Sequence, residues 1–561
     1  MIIGLDVGGT HTDVVLIGQG GLIRQTKVPT DPENLFESIL SGLESVIRDT
    51  DTASVERIVL STTLTTNAVV TGKLETVGMV VAGGPGLDPM LFRCCEDYHT
   101  VAGSVDHRGR VVEGLDRDAV EALADGFLAR GIRTVGVVGK FSTRNPAHEQ
   151  RMEEILKKKG IERVFTGHTV SGQLNFPRRI HTTFLNASVY AIHRRFYESV
   201  RDSLKEKGID IPIYILKADG GTMEMATSMI YPGESVMSGP SASVMGAIPW
   251  ASESVDTLVL DVGGTTTDIA ILVKCAPVLE PLGISIGPWH TLIRSLKSTS
   301  VGLGGDSQVR VENGAVVIGP QRLGPAMAFG GPEPTPTDAM VVLDPDGTQG
   351  DLALAQEGMR LVGEALGLPP EEAARKVMET MGHTILDHAR KAVAEINAKP
   401  VYTIHEMMEG YRVAPEEILL LGGPAQALSG YLADCTDKAV RPVPRWGVAN
   451  AIGAALARTT CEVTLFADTE KGVILIPEEN YSKTMDHHYT LADAEETARN
   501  FLVEKARQAG SRTASPETEI VESIAFNMVR GFRTTGKNIR VRAQVKPGLI
   551  EGYDLKAGDG S

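Results

Sequence analysis

The amino-acid sequence predicts an α/β protein with two related halves and a smaller C-terminal α/β domain, and three observations favour this architecture. Strand-like and helix-like segments alternate over most of the chain, which is typical of α/β layers. A nine-residue segment near the start recurs near the middle of the chain. The pattern of elements changes near Cys461. We therefore expect three domains, over residues 1–180, 181–460 and 461–561.

Between the two copies of the repeat, the predicted elements follow in α/β order. Apolar runs predict buried strands, while Asp116 and Pro146 mark the starts of two helices. The predicted strands cover residues 57–61, 77–82, 134–140 and 214–216, and the predicted helices cover residues 117–130, 147–159 and 182–200.

After the second copy, glycine-rich loops precede further helices and strands. Loops are predicted over residues 302–307 and 319–338, and a helix over residues 370–397, in which Gly382 can introduce a break. The remaining predictions are a strand over 418–421, a helix over 446–457, a strand over 473–476, a helix over 491–508 capped by Thr490 and Asp493, and a hairpin over 524–546 around residues 535–537.

The composition excludes several classes of protein. Of the 561 residues, 42% are hydrophobic and 22% are charged, as in an ordinary folded domain. The formal net charge of −16 disfavours nucleic acid or an anionic membrane as a partner. The N-terminus shows no targeting pattern, and the five cysteines form no C-x-x-C motif. We therefore expect a cytoplasmic protein without a zinc or iron–sulfur site.

The repeat is the strongest signal in the sequence. The segment Leu5–Asp13 reappears as Leu260–Asp268 with eight of nine residues identical. Apolar residues flank both copies, so each predicts two strands joined by a Gly-Gly-Thr turn. The alternative is a repeated structural hairpin without a ligand.

The turn residues have the chemistry of a phosphate site. Glycines let a backbone approach a phosphate without a Cβ clash, and successive N–H groups form a concave anion site. Threonine hydroxyls near the turn add further donors. The candidate phosphate-binding residues are Gly8, Gly9, Thr10 and Thr12 in the first copy and Gly263, Gly264, Thr265 and Thr267 in the second.

Two aspartates, Asp6 and Asp261, end the first strand of each hairpin. A bare carboxylate beside a phosphate would repel it, so the pair implies a divalent cation between them. Magnesium (Mg2+) takes oxygen ligands and usually keeps several waters. Two opposed hairpins can then hold a triphosphate from both sides.

These hairpins resemble those of the actin-like ATPase superfamily, which includes sugar kinases, heat-shock chaperones and actin. The resemblance implies two similar ribonuclease H-like domains that face a nucleotide cleft. It also implies that Gly422 and Gly423, after a late strand, contact the adenosine. The predicted helices over 182–200 and 446–457 would cross between the domains, with Gly447 and Gly453 allowing close packing.

A narrower resemblance is to the hydantoinase A/oxoprolinase family. The matching segments, which span about residues 1–310 in order, are G-L-D-V-G-G-T-H-T-D, S-T-T-L-T-T-N-A at 61–68, V-D-H-R-G-R at 105–110, N-P-A-H-E-Q at 145–150, T-T-F-L-N-A at 182–187, A-D-G-G at 218–221, S-G-P at 238–240 and L-D-V-G-G-T-T-T-D. The resemblance implies that ATP phosphorylates the carbonyl oxygen of a cyclic amide, such as a hydantoin or 5-oxoproline. Hydrolysis follows, with a hydantoinase B-type partner subunit.

Other residues have both a functional and a structural interpretation. Asp219 fits a base or ligand in the cleft. Thr63, Thr66 and Asn67 fit either substrate contacts or a helix N-terminus. Gly304 and Gly305 fit the nucleotide or substrate side of the cleft.

Three functions share the predicted nucleotide site. The first is an ATP-dependent amidohydrolase subunit, the second a small-molecule kinase of the sugar-kinase type, and the third a non-catalytic ATP-driven clamp or regulatory module. ATP binding does not separate them, and the sequence leaves open whether the chain forms a homo-oligomer.

Overall fold

The computed structural model describes residues 1–9, 11–31, 35–280, 282–398, 411–486 and 488–555. Within these ranges the α-helices are Leu35–Ile47, Leu64–Val70, Arg117–Ala129, Ala147–Lys159, Gly167–Val170, Phe176–Glu206, Met225–Ser228, Ser238–Ala247, Pro336–Leu343, Leu352–Leu366, Pro370–Ala398, Ala425–Asp434, Ala449–Leu456 and Leu491–Gln508. None of the helices in these ranges combines the length and apolar character needed to cross a membrane.

The first sheet contains the first copy of the repeat. Ile2–Val7 and His11–Gly18 form an antiparallel pair, the first hairpin, in which Asp6 lies opposite Asp13. The sheet has six strands, in the order Thr222–Glu224, Ile213–Leu216, Arg57–Thr62, Ile2–Val7, His11–Gly18 and Gly21–Pro29. Three adjacent strands are parallel to one another, and their carboxyl ends therefore meet at one edge of the sheet: Ile213–Leu216, Arg57–Thr62 and Ile2–Val7.

The second sheet repeats this topology. Thr257–Val262 and Thr267–Val273 form the second hairpin, with Asp261 opposite Asp268. Its main path runs through Ala276–Pro277, Thr267–Val273, Thr257–Val262, Glu417–Leu421 and Ala439–Pro442, and Ser298–Val301 also pairs with the hairpin. Because hairpin and parallel strands occur in the same order in both sheets, the sequence repeat is also a repeat of topology.

An inserted α/β layer follows the first hairpin and its neighbouring strand. Its four strands are all parallel and lie in the order Arg163–Thr166, Thr134–Gly139, Gly78–Ala82 and Tyr98–Thr100. The Asp116 side chain accepts a hydrogen bond from the Ala119 N–H at 3.0 Å, which confirms the predicted N-cap of helix Arg117–Ala129. Helix Ala147–Lys159 has the predicted bounds. Short strand pairs elsewhere are Ser104–Val105 with Val111–Glu113, Ser285–Ile286 with Trp289–His290, and Val309–Glu312 with Ala315–Ile318.

The inserted layer contains a buried ion pair. The side chains of Glu149 and His168 are 0% and 1% exposed, and His168 Nδ1 lies 2.5 Å from Glu149 Oε2. Burial alone would raise the pKa of Glu149, but the charge and hydrogen bond of His168 lower it. Burial alone would lower the pKa of His168, but Glu149 raises it. Each partner therefore holds the other in its charged form.

We expect this pair to stabilise the fold most near neutral pH. Glu149 contributes to the free energy of unfolding above its ordinary pKa of 4.5, and this contribution is lost as the pH falls through the lowered pKa that Glu149 has in the folded protein. The contribution of His168 is present below its ordinary pKa of 6.5 and is lost as the pH rises through its raised value. His168→Phe removes the imidazole partner of the buried Glu149 carboxylate, which keeps only backbone N–H groups and the charge of Arg179, and should cost about 3 kcal/mol. Urea unfolding followed by circular dichroism across both pKa values measures this, with exposed His107→Phe as the control. Equal urea midpoints for the two variants would contradict the expectation.

The C-terminal domain is a five-stranded antiparallel sheet covered by one helix. The strand order is Tyr481–Thr484, Val473–Ile476, Glu462–Asp468, Arg533–Val545 and Thr518–Arg530. Helix Leu491–Gln508 has the predicted bounds and the predicted Thr490–Asp493 capping box. The predicted turn around residues 535–537 is wrong, because Arg530 pairs with Arg533. Gly531, with φ of 62°, permits the tighter turn that the strands use.

Three helices differ from their predictions. Phe176–Glu206 extends beyond 182–200 at both ends, and Pro370–Ala398 continues through Gly382 without a break. The segment predicted as one helix over 446–457 begins with the 3-10 turn Trp446–Val448 and continues as Ala449–Leu456. Gly382 is buried in this helix, and the packing of the helix's apolar face outweighs the cost of about 1 kcal/mol that a glycine carries inside a helix.

The helices that cross between the two halves are Ser238–Ala247 and Ala449–Leu456, which we call the crossing helices. Ser238–Ala247 packs on strands of both sheets, and Ala449–Leu456 packs on the first. A Cβ on Gly453 would lie 2.3 Å from the Ala242 carbonyl oxygen, so Gly453 allows the predicted close approach. The prediction that helix 182–200 crosses between the domains beside helix 446–457 is wrong, because Ser238–Ala247 packs against Ala449–Leu456 instead. So is the role predicted for Gly447, because a Cβ there would meet nothing within 4 Å.

Candidate functional site

The two hairpins meet at one cleft, through a residue of a crossing helix. The Asn450 side-chain amide donates to Asp261 Oδ2 at 3.0 Å. Burial raises the pKa of Asp6, the charge of Asp261 raises it further, and the Asn450 amide lowers it. The candidate carboxylates from the two halves therefore face each other across one amide group.

Several carboxylates of the two hairpins lie close together. Burial raises the pKa of Asp6 to about 7, and the charges of Asp13 and Asp261 contribute to the rise. Burial, followed by the charge of Asp261, raises the pKa of Asp268 to about 7, and its Oδ1 atom has no hydrogen-bond partner. Lys27 Nζ lies 3.0 Å from Asp13 Oδ1. A bound cation would offset this clustered negative charge.

The donor set fits a magnesium ion that keeps most of its own ligands. Among the residues that the structure describes, no three or more His, Cys, Asp or Glu side chains are placed to hold a metal together. If Asp6 and Asp261 bound a cation, the remaining ligands would therefore be waters or phosphate oxygens. Magnesium is commonly bound in this way, by one or two carboxylates together with waters and phosphate oxygens.

The tips of the hairpins remain open, while their bases are closed by internal hydrogen bonds. Gly8 N–H donates to the His11 carbonyl at 3.0 Å, and Gly263 N–H donates to the Thr266 carbonyl at 2.9 Å. Gly9 and Thr265 are exposed at the tips, and Gly264 is half-buried. Thr10 lies outside the described residues.

The other candidate threonines of the hairpins make contacts within the protein. The buried Thr12 hydroxyl lies 2.9 Å from the Thr30 hydroxyl. The buried Thr267 hydroxyl donates to the Leu303 carbonyl at 2.6 Å. Both hydroxyls therefore hold their hairpins in place in this structure.

The glycine-rich loop after the second hairpin supports its turn. The Gly305 N–H donates to the Gly263 carbonyl at 2.9 Å, and the Asp306 N–H donates to the Gly264 carbonyl at 2.7 Å. A Cβ on Gly304 would lie 2.6 Å from the Gly263 carbonyl oxygen, so a side chain there would displace the turn. Gly304 and Gly305 thus lie under the second hairpin.

The Gly-Gly pair after strand Glu417–Leu421 borders the carboxylate of the second hairpin. That strand is parallel to Thr257–Val262, with Leu421 beside Asp261. Gly422 has φ of 86°, and a Cβ there would lie 2.6 Å from Asp261 Oδ1. A Cβ on Gly423 would meet nothing within 4 Å. The backbone of this pair is therefore accessible beside the cleft.

The threonine-rich segment joins the first hairpin to a crossing helix. The Thr63 hydroxyl donates to the Val7 carbonyl at 3.4 Å, and the Thr66 hydroxyl accepts the Met237 N–H at 2.8 Å. The Asn67 amide donates to the Thr63 hydroxyl at 3.3 Å. These residues occupy the first turns of helix Leu64–Val70, beside the cleft.

Two cleft residues were not identified from the sequence. The Ser243 hydroxyl donates to Asp261 Oδ2 at 2.5 Å, and Asn450 contacts the same oxygen. Ser243 follows the S-G-P segment, and Asn450 is the one long polar side chain in the run W-G-V-A-N-A-I-G. A polar side chain within a helix of small residues is the signal that could have revealed them.

The structure places Asp219 in a buried ion cluster. It pairs with Arg294, lies 3.4 Å from Lys217 Nζ, and accepts hydrogen bonds from the Thr460 hydroxyl at 2.8 Å and the Gly221 N–H at 2.9 Å. Burial alone would raise the pKa of Asp219, but the charges of Arg294 and Lys217 hold it well below its ordinary value. Two cations that stabilise the carboxylate make Asp219 a weak base, and its predicted role as a base or ligand in the cleft stays a prediction.

Comparisons with known proteins agree with this arrangement. Residues 2–160 match the family model described as the hydantoinase/oxoprolinase N-terminal region, and residues 179–463 match the model described as hydantoinase/oxoprolinase. The chain is 27% identical over 432 residues to the acetophenone carboxylase gamma subunit of Aromatoleum aromaticum, covering 66% of this chain and 58% of that protein. It is 26% identical over 455 residues to caprolactamase subunit alpha of Pseudomonas jessenii, covering 71% and 63%. The chain thus spans about three fifths of the length of these two relatives.

Two solved structures share the fold. The ATP-dependent caprolactamase of P. jessenii matches with a TM-score of 0.72 at 18% identity, over 98% of this chain and 88% of that one. A nucleotide-free acetone carboxylase matches with a TM-score of 0.70 at 17% identity, over 99% and 88%. The predicted fold class, two ATPase-type halves that face a cleft plus a C-terminal α/β domain, is confirmed.

Proposed function

Because this chain belongs to the hydantoinase/oxoprolinase family, we propose that it uses ATP to activate the carbonyl group of a cyclic amide for hydrolysis. The observation that supports this most directly is the position of Asn450, which donates to Asp261 of the second hairpin and also lowers the pKa of Asp6 of the first. Twin turns that face one cleft suit a nucleotide held between two halves. The curated relatives include a caprolactamase subunit and a yeast 5-oxoprolinase, and both names indicate action on cyclic amides.

The proposed reaction overcomes the low reactivity of an amide. The ring nitrogen donates electron density to the carbonyl carbon, which therefore resists attack by water. Transfer of the γ-phosphoryl group of ATP forms an O–P bond at the carbonyl oxygen, breaks the bond to the β-phosphate and releases ADP. Water can then attack the activated carbon, after which the C–N bond breaks, the nitrogen takes a proton, and the ring opens to an acyl phosphate. A second water hydrolyses the acyl phosphate to a carboxylate and inorganic phosphate.

We assign the cleft residues to positioning in this reaction. The N–H groups at the tips, at Gly9 and Gly264, would bind phosphate oxygens, and the backbone of Gly422–Gly423 would contact adenosine. Asp6 and Asp261 would orient a magnesium ion, which supplies charge neutralisation for the transferring phosphoryl group. Ser243 and Asn450 hold the Asp261 carboxylate in place.

The proposal extends to partners and organisation. Relatives of this chain are named as subunits of caprolactamase and of acetone and acetophenone carboxylases. We propose that this chain also works with a second subunit, of the hydantoinase B type, in the cytoplasm. Of the three domains predicted over residues 1–180, 181–460 and 461–561, we retain the last as proposed. The boundary at 180/181 falls inside helix Phe176–Glu206, and strands Ile213–Leu216 and Thr222–Glu224 belong to the first sheet, so we propose that the first domain extends beyond residue 224.

An ADP-release assay tests the proposal. The purified chain, with Mg2+ and ATP, is incubated separately with hydantoin, 5-oxoproline, ε-caprolactam, a ketone and a sugar. We expect a cyclic amide to stimulate ADP release, and mass spectrometry should detect the activated or ring-opened amide. A stable phosphorylated sugar would instead identify a kinase. Absence of stimulation by every compound would identify a clamp or regulatory module.

A further inference from the structure

A large cavity lies between the inserted layer and the C-terminal domain. Its volume is about 710 Å3, within the ~300–1,000 Å3 that is typical of small-molecule sites. The inserted layer lines it with residues 107–109 and with residues in the segment 141–146, and the C-terminal domain lines it with residues of Glu462–Asp468 and of its long hairpin. The cleft residues of the two ATPase-type halves do not line this cavity, so it is separate from the proposed nucleotide site.

The cavity lies at a favoured position in the inserted layer. Residues 141–146 directly follow strand Thr134–Gly139. From Gly78–Ala82 the chain passes first to Tyr98–Thr100 on one side and then to Thr134–Gly139 on the other, so the strand order reverses beside Thr134–Gly139. Ligands of open parallel sheets commonly bind outside the carboxyl ends of the strands at such a point.

Two sequence motifs that take no part in the nucleotide cleft form one wall of the cavity. They are V-D-H-R-G-R, which carries Arg108, and N-P-A-H-E-Q, which directly follows Arg144. The Asn145 side-chain amide donates to the Gly109 carbonyl at 2.9 Å. Gly109 has φ of 77°, and a Cβ there would lie 2.8 Å from the Arg144 carbonyl oxygen. The loop that carries Arg108 therefore lies directly against the backbone of Arg144.

The cavity is basic, although the chain as a whole has a net charge of −16. The charged residues that line it are Arg108, Arg144, Lys471 and Arg530 against the single carboxylate of Asp468. Arg530 pairs with Glu470 at 2.8 Å, and Lys471 Nζ lies 3.9 Å from Asp468 Oδ2. Arg108 and Arg144 form no ion pair with any residue that the structure describes. Such a local excess of positive charge attracts an anionic ligand.

The guanidinium group of Arg144 is fixed in place with one nitrogen accessible. Its Cζ atom lies 4.2 Å from the centroid of the Phe466 ring. Nε is buried and Nη2 lies 3.5 Å from Asn538 Oδ1, whereas Nη1 makes no hydrogen bond within the described chain and is not buried. Burial, together with the charge of Arg540, lowers the pKa of Arg144 to about 10, so the group stays charged at neutral pH. The planar Nη1–Nη2 end suits a carboxylate, which accepts two parallel N–H bonds.

The remaining walls suit an apolar group. They include the side chains of Phe141, Leu174, Leu475, Tyr481 and Val529, each of which keeps some exposed surface. An inorganic anion would leave this surface in contact with water. A ligand with an apolar body would cover it, and each apolar area removed from water would favour binding.

We propose that this cavity binds a small organic carboxylate with an apolar body, its carboxylate group on Arg144 and its body against the apolar walls. Arg108, which is exposed beside Arg144, supplies a second positive charge. The ligand would contact both the inserted layer and the C-terminal domain and would therefore join them. This inference does not depend on the proposed function, because the cavity shares no residue with the cleft.

Calorimetric titration of the full chain without nucleotide tests the site. The probes are hexanoate and benzoate, each compared with its uncharged amide, and inorganic phosphate. We expect saturable binding of at least one carboxylate, and about tenfold weaker binding of its amide, which lacks the charge. Inorganic phosphate should bind more weakly than that carboxylate because it has no apolar body. The thermal midpoint of unfolding should rise with the carboxylate concentration, since the ligand binds only the folded chain.

Variants identify the residues that bind the carboxylate. Arg144→Gln removes the charge and should weaken binding about tenfold, while Arg144→Lys keeps the charge without the planar pair of N–H groups and should weaken it less. Because Arg144 also packs on Phe466, Val529→Glu provides a test that leaves this contact in place. Val529 is 61% exposed, and a negative charge there should also weaken binding. Leu361→Glu adds the same charge at an exposed position outside the cavity and should bind as the wild type does.

The outcomes that would overturn the assignment are distinct. Absence of saturable binding by both carboxylates, or equal affinity for a carboxylate and its amide, would refute the site. Wild-type affinity in either Arg144→Gln or Val529→Glu would refute the position of the ligand. Inorganic phosphate that binds as tightly as the carboxylates would refute the class of ligand.

Discussion

We expect Asp261→Ala to abolish ATP turnover while leaving the chain folded. Asp261 is held by Ser243 and Asn450 and faces Asp6, so its loss removes one side of the proposed cation site. Loss of one preorganised electrostatic contact to a transferring group commonly lowers the rate by about 10²–10³-fold. Stability should not fall, because the charge of Asp261 raises the pKa values of Asp6 and Asp268 and its removal relieves that repulsion.

The measurement is steady-state ADP release, together with circular dichroism and the thermal midpoint of each variant. Asp261→Asn keeps the shape of the side chain and should lose turnover to a similar degree, which separates charge from packing. Asp202→Ala, which removes an exposed carboxylate on a helix, is the matched control. Near-normal turnover in Asp261→Ala would remove Asp261 from the proposed cation site.

The second large effect concerns the crossing helices. A Cβ on Gly453 would lie 2.3 Å from both the Ala242 carbonyl oxygen and the Gly246 nitrogen. Both atoms belong to the backbone, so no side-chain rotation can relieve the contact, and the helices must move apart. We expect Gly453→Ala to lower stability by about 3 kcal/mol, the upper end of the usual cost of overpacking.

Gly447→Ala is the control for this substitution, since it adds the same methyl group where nothing lies within 4 Å. Thermal and urea unfolding should place Gly453→Ala well below the wild type and Gly447→Ala close to it. Equal stability of the two variants would contradict this prediction, because it would show that the crossing helices can move apart without a loss of stability.

Much of the fold could be predicted because its signals are local. The repeated nine residues predicted both hairpins, and the pairing of Asp6 with Asp13 and of Asp261 with Asp268 follows from a short turn. Asp116 was identified as an N-cap because such a cap acts within one helical turn.

The errors and omissions arose where distant residues decide the outcome. Asp219 was interpreted as a cleft residue from its own segment, and its ion cluster depends on Arg294 and Thr460, far along the chain. Helix Ser238–Ala247 was missed as a crossing helix because its small residues form no apolar stripe. Its packing depends on backbone proximity, which no residue pattern within the helix predicts.

Asn450 lies one helical turn from the glycine contact on which the crossing helices depend. The Asn450 amide, which acts on Asp6 and Asp261, thus lies on the crossing helix whose backbone directly contacts the other crossing helix. A ligand that draws Asp6 or Asp261 toward itself must alter this amide's bonding. Asn450, which holds a cleft carboxylate, and Gly453, which has no room for a methyl group, thus belong to one short helix, so a shift of Asp261 would act on an element that cannot move closer to its neighbour.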